Sequence, residues 1–398
     1  MTGTLSTGFR PALSRLGARE SSAGGFGPAA GELGANAIRL LGGVPANEAL
    51  PVEGLRSAFA ETLADPAVAT GALQYSSPTG IAPLRSWIAQ RESVDADRVL
   101  ITNGALHGLS LLFSALLDPG DVVAVESPTF PVALRVLGHH GAQVVPVSSA
   151  AAGLDLDGLA ARLRDGLRIK LLYLIPDFQN PTGTTLSAAD RARAVALAEE
   201  FGFLVVSDNP YRALRFSGAT TPDLNPDSPA VVHVNTFSKT LGPGLRLGWI
   251  IAPPALLPAL TRLRANVDQH TSLLTQTAVA RLLHTPGAYD ATLDRARELY
   301  RERASALTDQ LRLRLGAGIE FTEPDGGIFL WATLTDPGLD LAEVQRRARA
   351  LGTDFSLGRY FDPDGAVRYT DRIRLGFSNN TPEDLRTAVD RIAAAIDQ

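Results

Sequence analysis

The sequence predicts an α/β fold in which helices cover a mainly parallel, seven-stranded sheet, joined to a smaller α+β unit. Two observations predict it. Apolar runs rich in β-branched residues recur between residues 98 and 251, and helical segments separate most of them. Strands that are apolar throughout are typical of parallel sheets buried on both faces, with the helices as crossovers.

Seven segments have the composition of buried strands. They are "RVLIT" (98–102), "VVAVE" (122–126), "QVVPV" (143–147), "LLYLI" (171–175), "FLVVS" (203–207), "VVHVN" (231–235) and "LGWII" (247–251). The segment "SAADRARAVALAEEFG" is typical of the intervening helices, because Ser187 can cap its start and Gly202 can end it.

The pattern changes after about residue 270. One long helical stretch from "TQTAVARLLH" to "RARELYRERASALTDQLRLRL" is followed by the alternating strands "GGIFLWATL" and "RIRLGFS" and a closing helix, "TPEDLRTAVDRIAAAI". This order indicates a second, α+β unit. Residues 1–35 are rich in Gly, Ala and Ser with little periodicity, which predicts a loosely ordered arm.

Composition excludes several classes of partner. The net charge of −5 and pI near 5.7 give no electrostatic reason to expect nucleic acid or an anionic membrane. Cysteine is absent, so thiolate metal sites and disulfides are excluded, and no metal is expected. The first residues lack the apolar core of a signal peptide, and "GWIIAPPALLPAL" is too short and proline-broken to span a bilayer. We therefore expect a soluble, cytoplasmic protein.

Polar residues follow four of the predicted strands, where ligands gather in α/β sheets. A glycine-led helix start, Gly104-Ala105-Leu106, follows the first strand and suits a phosphate. The candidates after the other three strands are Asn180, Asp208, Tyr211, Thr236, Ser238, Lys239 and Arg246.

Each candidate taken alone has a simpler interpretation. Asn180 lies in "NPTG", a good turn sequence, Asp208 can cap a following turn, and Lys239 can lie in a solvated loop. Their occurrence at successive strand ends indicates one shared site. An amine, a carboxylate, an amide, a phenol and a phosphate cradle together suit pyridoxal 5'-phosphate.

Eight segments along the chain carry a family resemblance, and they occur in the family's order. They are "LQYSSPTGIAPLRSWIAQ", "ITNGALHGLSLLF", "ESPTFP", "YLIPDFQNPTG", "SDNPYR", "FSKTLGPGLRLGW", "PDGGIFLW" and "RIRLGFS". The chain resembles the fold-type I, class I/II aminotransferases that depend on pyridoxal phosphate. "IPDFQNPTG" most resembles the branch with 2-aminoadipate and kynurenine aminotransferases and the effector domains of MocR-type regulators.

The resemblance implies the three-layer PLP-transferase fold. With it we expect an arm over residues 1–35, a large cofactor-binding domain over 56–285, and a small domain formed by 36–55 and 286–398.

The resemblance also implies a role for each candidate around the cofactor. Lys239 would bond the cofactor aldehyde and carry a proton, and Asp208 would pair with the ring nitrogen. Asn180 and Tyr211 would bind the phenolic oxygen, and Phe130 would stack on the ring. The residues implied for the phosphate are Arg246, Ser238, Thr236, the amides of Ala105 and Leu106, and Tyr75 across a homodimer interface.

For the substrate, the resemblance implies that Arg374 grips the α-carboxylate, with Asn180, Gly43 and Tyr75 nearby. The sequence leaves an alternative for Arg374, because Ile373, Leu375 and Phe377 alternate with it and would place it on the solvent face of a half-buried strand. Gly43 would let the backbone approach the substrate, although "GGVP" is also an ordinary turn.

Two positions depart from the family pattern. Phe130 replaces a common tyrosine, which keeps ring stacking and loses a hydroxyl, and Ala105-Leu106 replaces Ser-Gln, which leaves phosphate binding more to backbone N–H groups. His107 is expected to pack at the helix start. Arg359 is expected either in solvent or as a recogniser of the substrate side chain.

The expected function is transfer of an α-amino group from an L-amino acid to a 2-oxo acid by ping-pong half-reactions. The expected donor is 2-aminoadipate or a long aliphatic or aromatic amino acid, and the expected acceptor is 2-oxoglutarate. Two alternatives remain from the sequence: a ligand-sensing domain related to MocR-type regulators, and a lyase, decarboxylase or oxidase using the same cofactor.

Overall fold

The structure of the protein, a computed structural model, describes residues 12–22, 37–150 and 153–397. The strands of these residues are β1 (Ile38–Arg39), β2 (Val99–Thr102), β3 (Val122–Ser127), β4 (Gln143–Ala150), β5 (Gly153–Leu154), β6 (Leu171–Leu174), β7 (Leu204–Asp208), β8 (Val231–Thr236), β9 (Gly248–Ile251), β10 (Ile319–Phe321), β11 (Phe329–Leu334), β12 (Thr353–Asp354), β13 (Ser356–Leu357) and β14 (Arg372–Gly376).

The helices follow the predicted alternation with the strands. They are α1 (Arg15–Ser22), α2 (Val52–Ala64), α3 (Pro66–Ala72), α4 (Ala82–Glu92), α5 (Ala105–Leu116), α6 (Pro131–His139), α7 (Leu156–Arg164), α8 (Ala188–Phe201), α9 (Leu257–Val267), α10 (Leu273–His284), α11 (Ala288–Leu315), α12 (Leu341–Ala350) and α13 (Pro382–Ile396). The ends of α8 are as predicted: Ser187 accepts from the Asp190 N–H, and Gly202 adopts φ 75° as the C-cap.

The large sheet has the strand order β2-β9-β8-β7-β6-β3-β4-β5. All seven predicted strands lie in it, and the five from β8 to β4 run parallel. β9 is antiparallel to both of its neighbours. The predicted count of seven was one too low. β4 extends to Ala150, and the two-residue β5 pairs antiparallel with its end. Such a short segment has no periodicity to detect.

The smaller unit is built on the antiparallel sheet β10-β11-β14-β13. α11 and α13 pack beside it, and α13 begins with a capping box between Thr381 and Asp384. β1 pairs in parallel with β12, which ties residues 38–39 to this unit. The pairing agrees with the expected grouping of residues 36–55 with the C-terminal part, although the exact domain bounds stay a prediction.

Two expectations from the sequence need correction. The long helical stretch predicted after residue 270 is interrupted once, because Thr285-Pro286-Gly287 separates α10 from α11, and Gly287 takes the left-handed conformation at φ 73°. The arm contains α1 within its described part, where a loosely ordered segment was expected. There Glu20 pairs with His139 of α6, a long-range contact that local composition does not reveal.

The cores of the sheet and the small unit are continuous. Tyr173, Val206 and Val234 of the large sheet belong to the same apolar cluster as Phe329 and Leu375 of the small sheet. A second cluster covers the opposite face of the large sheet beneath α7 and α8. Among the described residues, the helices are all too short or too polar to cross a membrane.

Candidate active site

One cavity of about 380 Å³ lies at the carboxyl ends of β6, β7 and β8, between the two units. Every predicted site residue except Tyr75 lines it: Gly43, Ala105, Leu106, Phe130, Asn180, Asp208, Tyr211, Thr236, Ser238, Lys239, Arg246 and Arg374. The fold thus brings together residues that are widely separated in sequence.

Lys239 lies directly after β8, at the end of a short 3-10 turn that begins at Phe237. The Oγ1 of Thr236 caps this turn by accepting from the Ser238 N–H. The Nζ of Lys239 donates to the carbonyl oxygen of Gly43 at 2.6 Å. Burial lowers the pKa of the Lys239 amine to about 8, which makes the neutral, nucleophilic form accessible near physiological pH.

Asp208 is the last residue of β7 and is buried. One carboxylate oxygen, Oδ2, accepts a hydrogen bond from the hydroxyl of Tyr173 at 2.8 Å. The other oxygen, Oδ1, has no partner among the described residues. Burial raises the pKa of Asp208 to about 6. A buried carboxylate with one unpartnered oxygen suits a ligand that presents an N–H group, as a pyridinium ring does.

The start of α5 and the loop before β9 form a cradle for an anion. Gly104 takes φ 83° and precedes the N–H groups of Ala105 and Leu106, which lie in the first turn of α5 and so have no partner within the helix. The Nη2 of Arg246 donates to the Asn103 carbonyl at 2.8 Å, which holds its guanidinium against this turn. A side chain at Gly248 would begin 2.8 Å from the Ala105 nitrogen, so glycine is needed for this approach.

Arg374 projects from β14 into the cavity and is only 8% exposed. Its Nη1 donates to the Oδ1 of Asn180 at 2.7 Å, and its Nη2 donates to the Leu41 carbonyl at 2.6 Å. Its guanidinium carbon lies 4.0 Å from the ring centre of Phe329 and 4.8 Å from that of Phe361. The solvent-facing alternative for Arg374 is therefore wrong. The face of β14 that carries Arg374 adjoins the cavity and not solvent, so both faces of this strand are buried.

Tyr211 and Phe130 complete the walls of the cavity. The Tyr211 side chain is hydrogen-bonded to Asn180, and burial raises the pKa of its phenol. Phe130 precedes α6 at the N-cap position and is partly buried. The cavity therefore offers an aromatic face and a phenol with an amide beside it.

Three other predicted residues lie outside the cavity. Tyr75 is 80% exposed and packs edge-on against the ring of His270 at 5.9 Å. His107 packs at the start of α5, where its Nδ1 accepts from the Asn103 N–H. Arg359 is exposed and lines a separate depression on the small unit with Asp336 and Asp371.

Several site residues were not predicted from the sequence. Leu41, Val132, Phe329 and Phe361 contribute apolar wall, and Tyr173 contacts Asp208 from the neighbouring strand. Among these residues, Tyr173 is the one that the sequence could have revealed as a site residue. It is a phenol inside an otherwise aliphatic strand, and a buried phenol needs a hydrogen-bond partner.

The donor set fits pyridoxal phosphate: a lysine amine of lowered pKa, a carboxylate with one unpartnered oxygen, and an anion cradle. Sequence comparison then identifies the family, because the model of the family "Aminotransferase class I and II" matches residues 37–392 of this chain. The chain belongs to this family. It is a pyridoxal-phosphate-dependent aminotransferase of fold type I.

Individual relatives of this aminotransferase agree with the family assignment. A 2-aminoadipate transaminase of Thermus thermophilus is 34% identical and covers 90% of each chain. Aromatic-amino-acid aminotransferase 1 of Thermococcus litoralis is 32% identical over 91% of this chain and 88% of its own. The crystal structure of a T. thermophilus alpha-aminoadipate aminotransferase, complexed with N-(5'-phosphopyridoxyl)-L-leucine, superposes with a TM-score of 0.84. It is 34% identical and covers 92% of this chain and 93% of its own.

Proposed function

We propose that this aminotransferase moves the α-amino group of an L-amino acid to 2-oxoglutarate by a ping-pong mechanism. In this proposal the preferred donors have long aliphatic or aromatic side chains, and 2-aminoadipate is a further donor. The observation that carries the proposal is the single cavity in which Lys239 and the buried Arg374 face a largely apolar wall.

In this proposal, each residue around the cofactor has its own role. Bound pyridoxal phosphate supplies the electron sink that lets the substrate Cα–H bond break. Lys239 holds the cofactor and later moves the proton at Cα, and Asp208 keeps the ring nitrogen protonated. Asn180 and Tyr211 hydrogen-bond the phenolic oxygen, and Phe130 stacks on the ring.

The two guanidinium groups of the cavity bind different anions: Arg246 binds the cofactor phosphate, and Arg374 binds the substrate α-carboxylate. The phosphate binds Arg246, the hydroxyls of Thr236 and Ser238, and the backbone N–H groups of Ala105 and Leu106. The α-carboxylate binds Arg374, whose guanidinium lacks an ion-pair partner among the described residues. Any free amino acid can make this contact, because it carries an α-carboxylate.

The remaining wall favours apolar donors. Besides the four charged side chains assigned above (Asp208, Lys239, Arg246 and Arg374), most of the cavity lining is apolar and includes Leu41, Val132, Ile175, Phe329 and Phe361. Such a wall gains free energy by burying an aliphatic or aromatic side chain. We include 2-aminoadipate among the donors because one relative is named a 2-aminoadipate transaminase. Both 2-aminoadipate and 2-oxoglutarate carry a second carboxylate, which needs a binding partner in the site.

We also propose a homodimer with shared active sites, acting in the cytoplasm. Tyr75 is highly exposed, as are two other apolar side chains, Leu73 close to it in sequence and Val267 close in sequence to its ring partner His270. In the dimer, Tyr75 of each subunit would reach the phosphate and the substrate in the other. A mixed dimer of Lys239→Ala and Tyr75→Ala subunits tests this, because one of its two sites would be intact and activity would return. No recovery on mixing would count against shared sites.

The function itself is tested with purified enzyme, pyridoxal phosphate, 2-oxoglutarate and a panel of amino acids. We expect oxo acid and glutamate in equal amounts, with leucine, phenylalanine and tyrosine ahead of aspartate. Each donor alone should convert the bound cofactor to its amine form, and double-reciprocal plots should be parallel. Release of carbon dioxide, ammonia or peroxide without glutamate would favour a decarboxylase, lyase or oxidase instead.

A further inference from the structure

Tyr173 lies beneath the cofactor cavity, on the strand next to the one that carries Asp208. β6 and β7 run parallel, with Tyr173 opposite Val206, so Tyr173 and Asp208 project from the same face of the sheet. Tyr173 is 0% exposed, and its hydroxyl donates to Oδ2 of Asp208 at 2.8 Å. Among the described residues, this is the hydrogen bond that the Asp208 side chain receives, while Oδ1 receives none.

We infer that Tyr173 is a positioning residue: its hydroxyl fixes one oxygen of Asp208, leaves the other for the cofactor's ring nitrogen, and biases the shared proton toward that nitrogen. The bias follows from the direction in which the hydrogen bond acts. A donor on Oδ2 stabilises the ionised carboxylate and opposes the burial that raises the pKa of Asp208. A carboxylate that stays ionised leaves the proton on the ring.

The other ionisable groups near Asp208 do not replace this contact. Lys239 also favours the ionised carboxylate, but in the loaded enzyme its amine is engaged by the cofactor. Glu126 of β3 and Tyr211 form their hydrogen bonds elsewhere: Oε2 of Glu126 accepts from the Ile175 N–H, and Tyr211 is hydrogen-bonded to Asn180. The Tyr173 hydroxyl is thus the fixed neutral donor to this carboxylate in the described structure.

The test uses cofactor-loaded enzyme carrying pyridoxal phosphate labelled with ¹⁵N in the ring. The ¹⁵N chemical shift reports directly whether the nitrogen is protonated, and Asp208→Asn provides the unprotonated reference. In Tyr173→Phe we expect the ring nitrogen to lose its proton about one pH unit lower than in the wild type, the size of one hydrogen bond to a charged group. The catalytic rate constant should fall about tenfold with KM little changed.

Tyr300→Phe is the matched control. Tyr300 is equally buried, and its hydroxyl accepts one hydrogen bond, from the Ala46 N–H at 3.0 Å, on a different part of the chain. This variant loses the same chemical group and should keep the wild-type ¹⁵N titration. A wild-type titration in Tyr173→Phe would overturn the inference, whether or not its rate fell. An equal shift in Tyr300→Phe would overturn it too.

Discussion

The guanidinium of Arg374 donates to the Oδ1 of Asn180 across 2.7 Å, between the rings of Phe329 and Phe361. No carboxylate among the described residues forms an ion pair with it, and burial lowers its pKa to about 10. A buried cation without a counter-ion is unfavourable unless a ligand supplies the charge. Its fixed orientation therefore favours binding of a carboxylate from outside the protein.

We predict that Arg374→Ala weakens every donor and acceptor alike, because all of them carry the α-carboxylate. The loss in kcat/KM should be about 1.5–3 kcal/mol, the size of a hydrogen bond to a charged group. Steady-state kinetics with leucine, phenylalanine and 2-aminoadipate measure it. Arg372→Ala on the same strand is the control, since Arg372 is part-exposed and pairs with Asp371. A loss confined to one donor would argue against the α-carboxylate role.

Lys239 offers a sharp test because the chain contains only two lysines, Lys170 and Lys239. Borohydride treatment should fix the cofactor to Lys239, and peptide mass spectrometry should find the label there. Lys239→Ala should abolish both the fixed label and turnover. Lys170→Ala should change neither, because Lys170 lies at the surface, 3.9 Å from Asp121. A fixed label in Lys239→Ala would contradict the assignment.

Glu126 predicts a pH dependence of stability. It is buried, and its Oε2 accepts from the Ile175 N–H at 2.8 Å. Burial raises its pKa from 4.5 to about 8, so between these values the folded protein keeps a proton that the unfolded chain releases. The free energy of unfolding must therefore fall as pH rises through this window.

We expect Glu126→Gln to remove part of that fall. Above about pH 7, where Asp208 with a pKa of about 6 is already ionised, the wild type should lose about 1 kcal/mol more per pH unit than the variant. Urea unfolding of the cofactor-free protein at several pH values measures the difference. Glu320→Gln, at an exposed position of β10, should follow the wild type. Parallel curves for wild type and Glu126→Gln would show that the buried carboxyl is ionised at neutral pH.

The sequence predicted site residues best where a polar or charged residue lies at the end of a predicted strand. Asp208 and Lys239 were predicted because each follows an apolar run, and short-range pattern is enough to place them. Phe329 and Phe361 were missed, because their contact with Arg374 joins segments whose proximity depends on how the small sheet packs against the large one. For Arg374, strand alternation left a solvent-facing alternative, since alternation cannot tell a solvent face from a cavity wall.

Gly43 tests how closely the backbone must approach the cavity. A Cβ at Gly43 would lie 2.6 Å from Cζ of Phe329, and the Gly43 carbonyl accepts from Lys239. We predict that Gly43→Ala displaces the Phe329 ring and lowers kcat/KM about tenfold or more, as small misplacements in active sites do. Gly42→Ala is the matched control, because its nearest neighbour would be Val44 at an ordinary 3.6 Å. Equal kinetics in the two variants would contradict the prediction.

Arg359 decides between the two roles expected from the sequence. Its guanidinium lies 5.4 Å from the ring centre of Tyr360, and its side chain lines the depression with Asp336 and Asp371 and not the cofactor cavity. In this position it lies outside the lining of the cavity that would hold the substrate. Arg359→Ala should therefore leave the ratio of kcat/KM for 2-aminoadipate and phenylalanine within about twofold of the wild type, as surface substitutions usually do. A selective loss of 2-aminoadipate, by about tenfold or more, would mean that the loop moves over the substrate and brings Arg359 to its distal carboxylate.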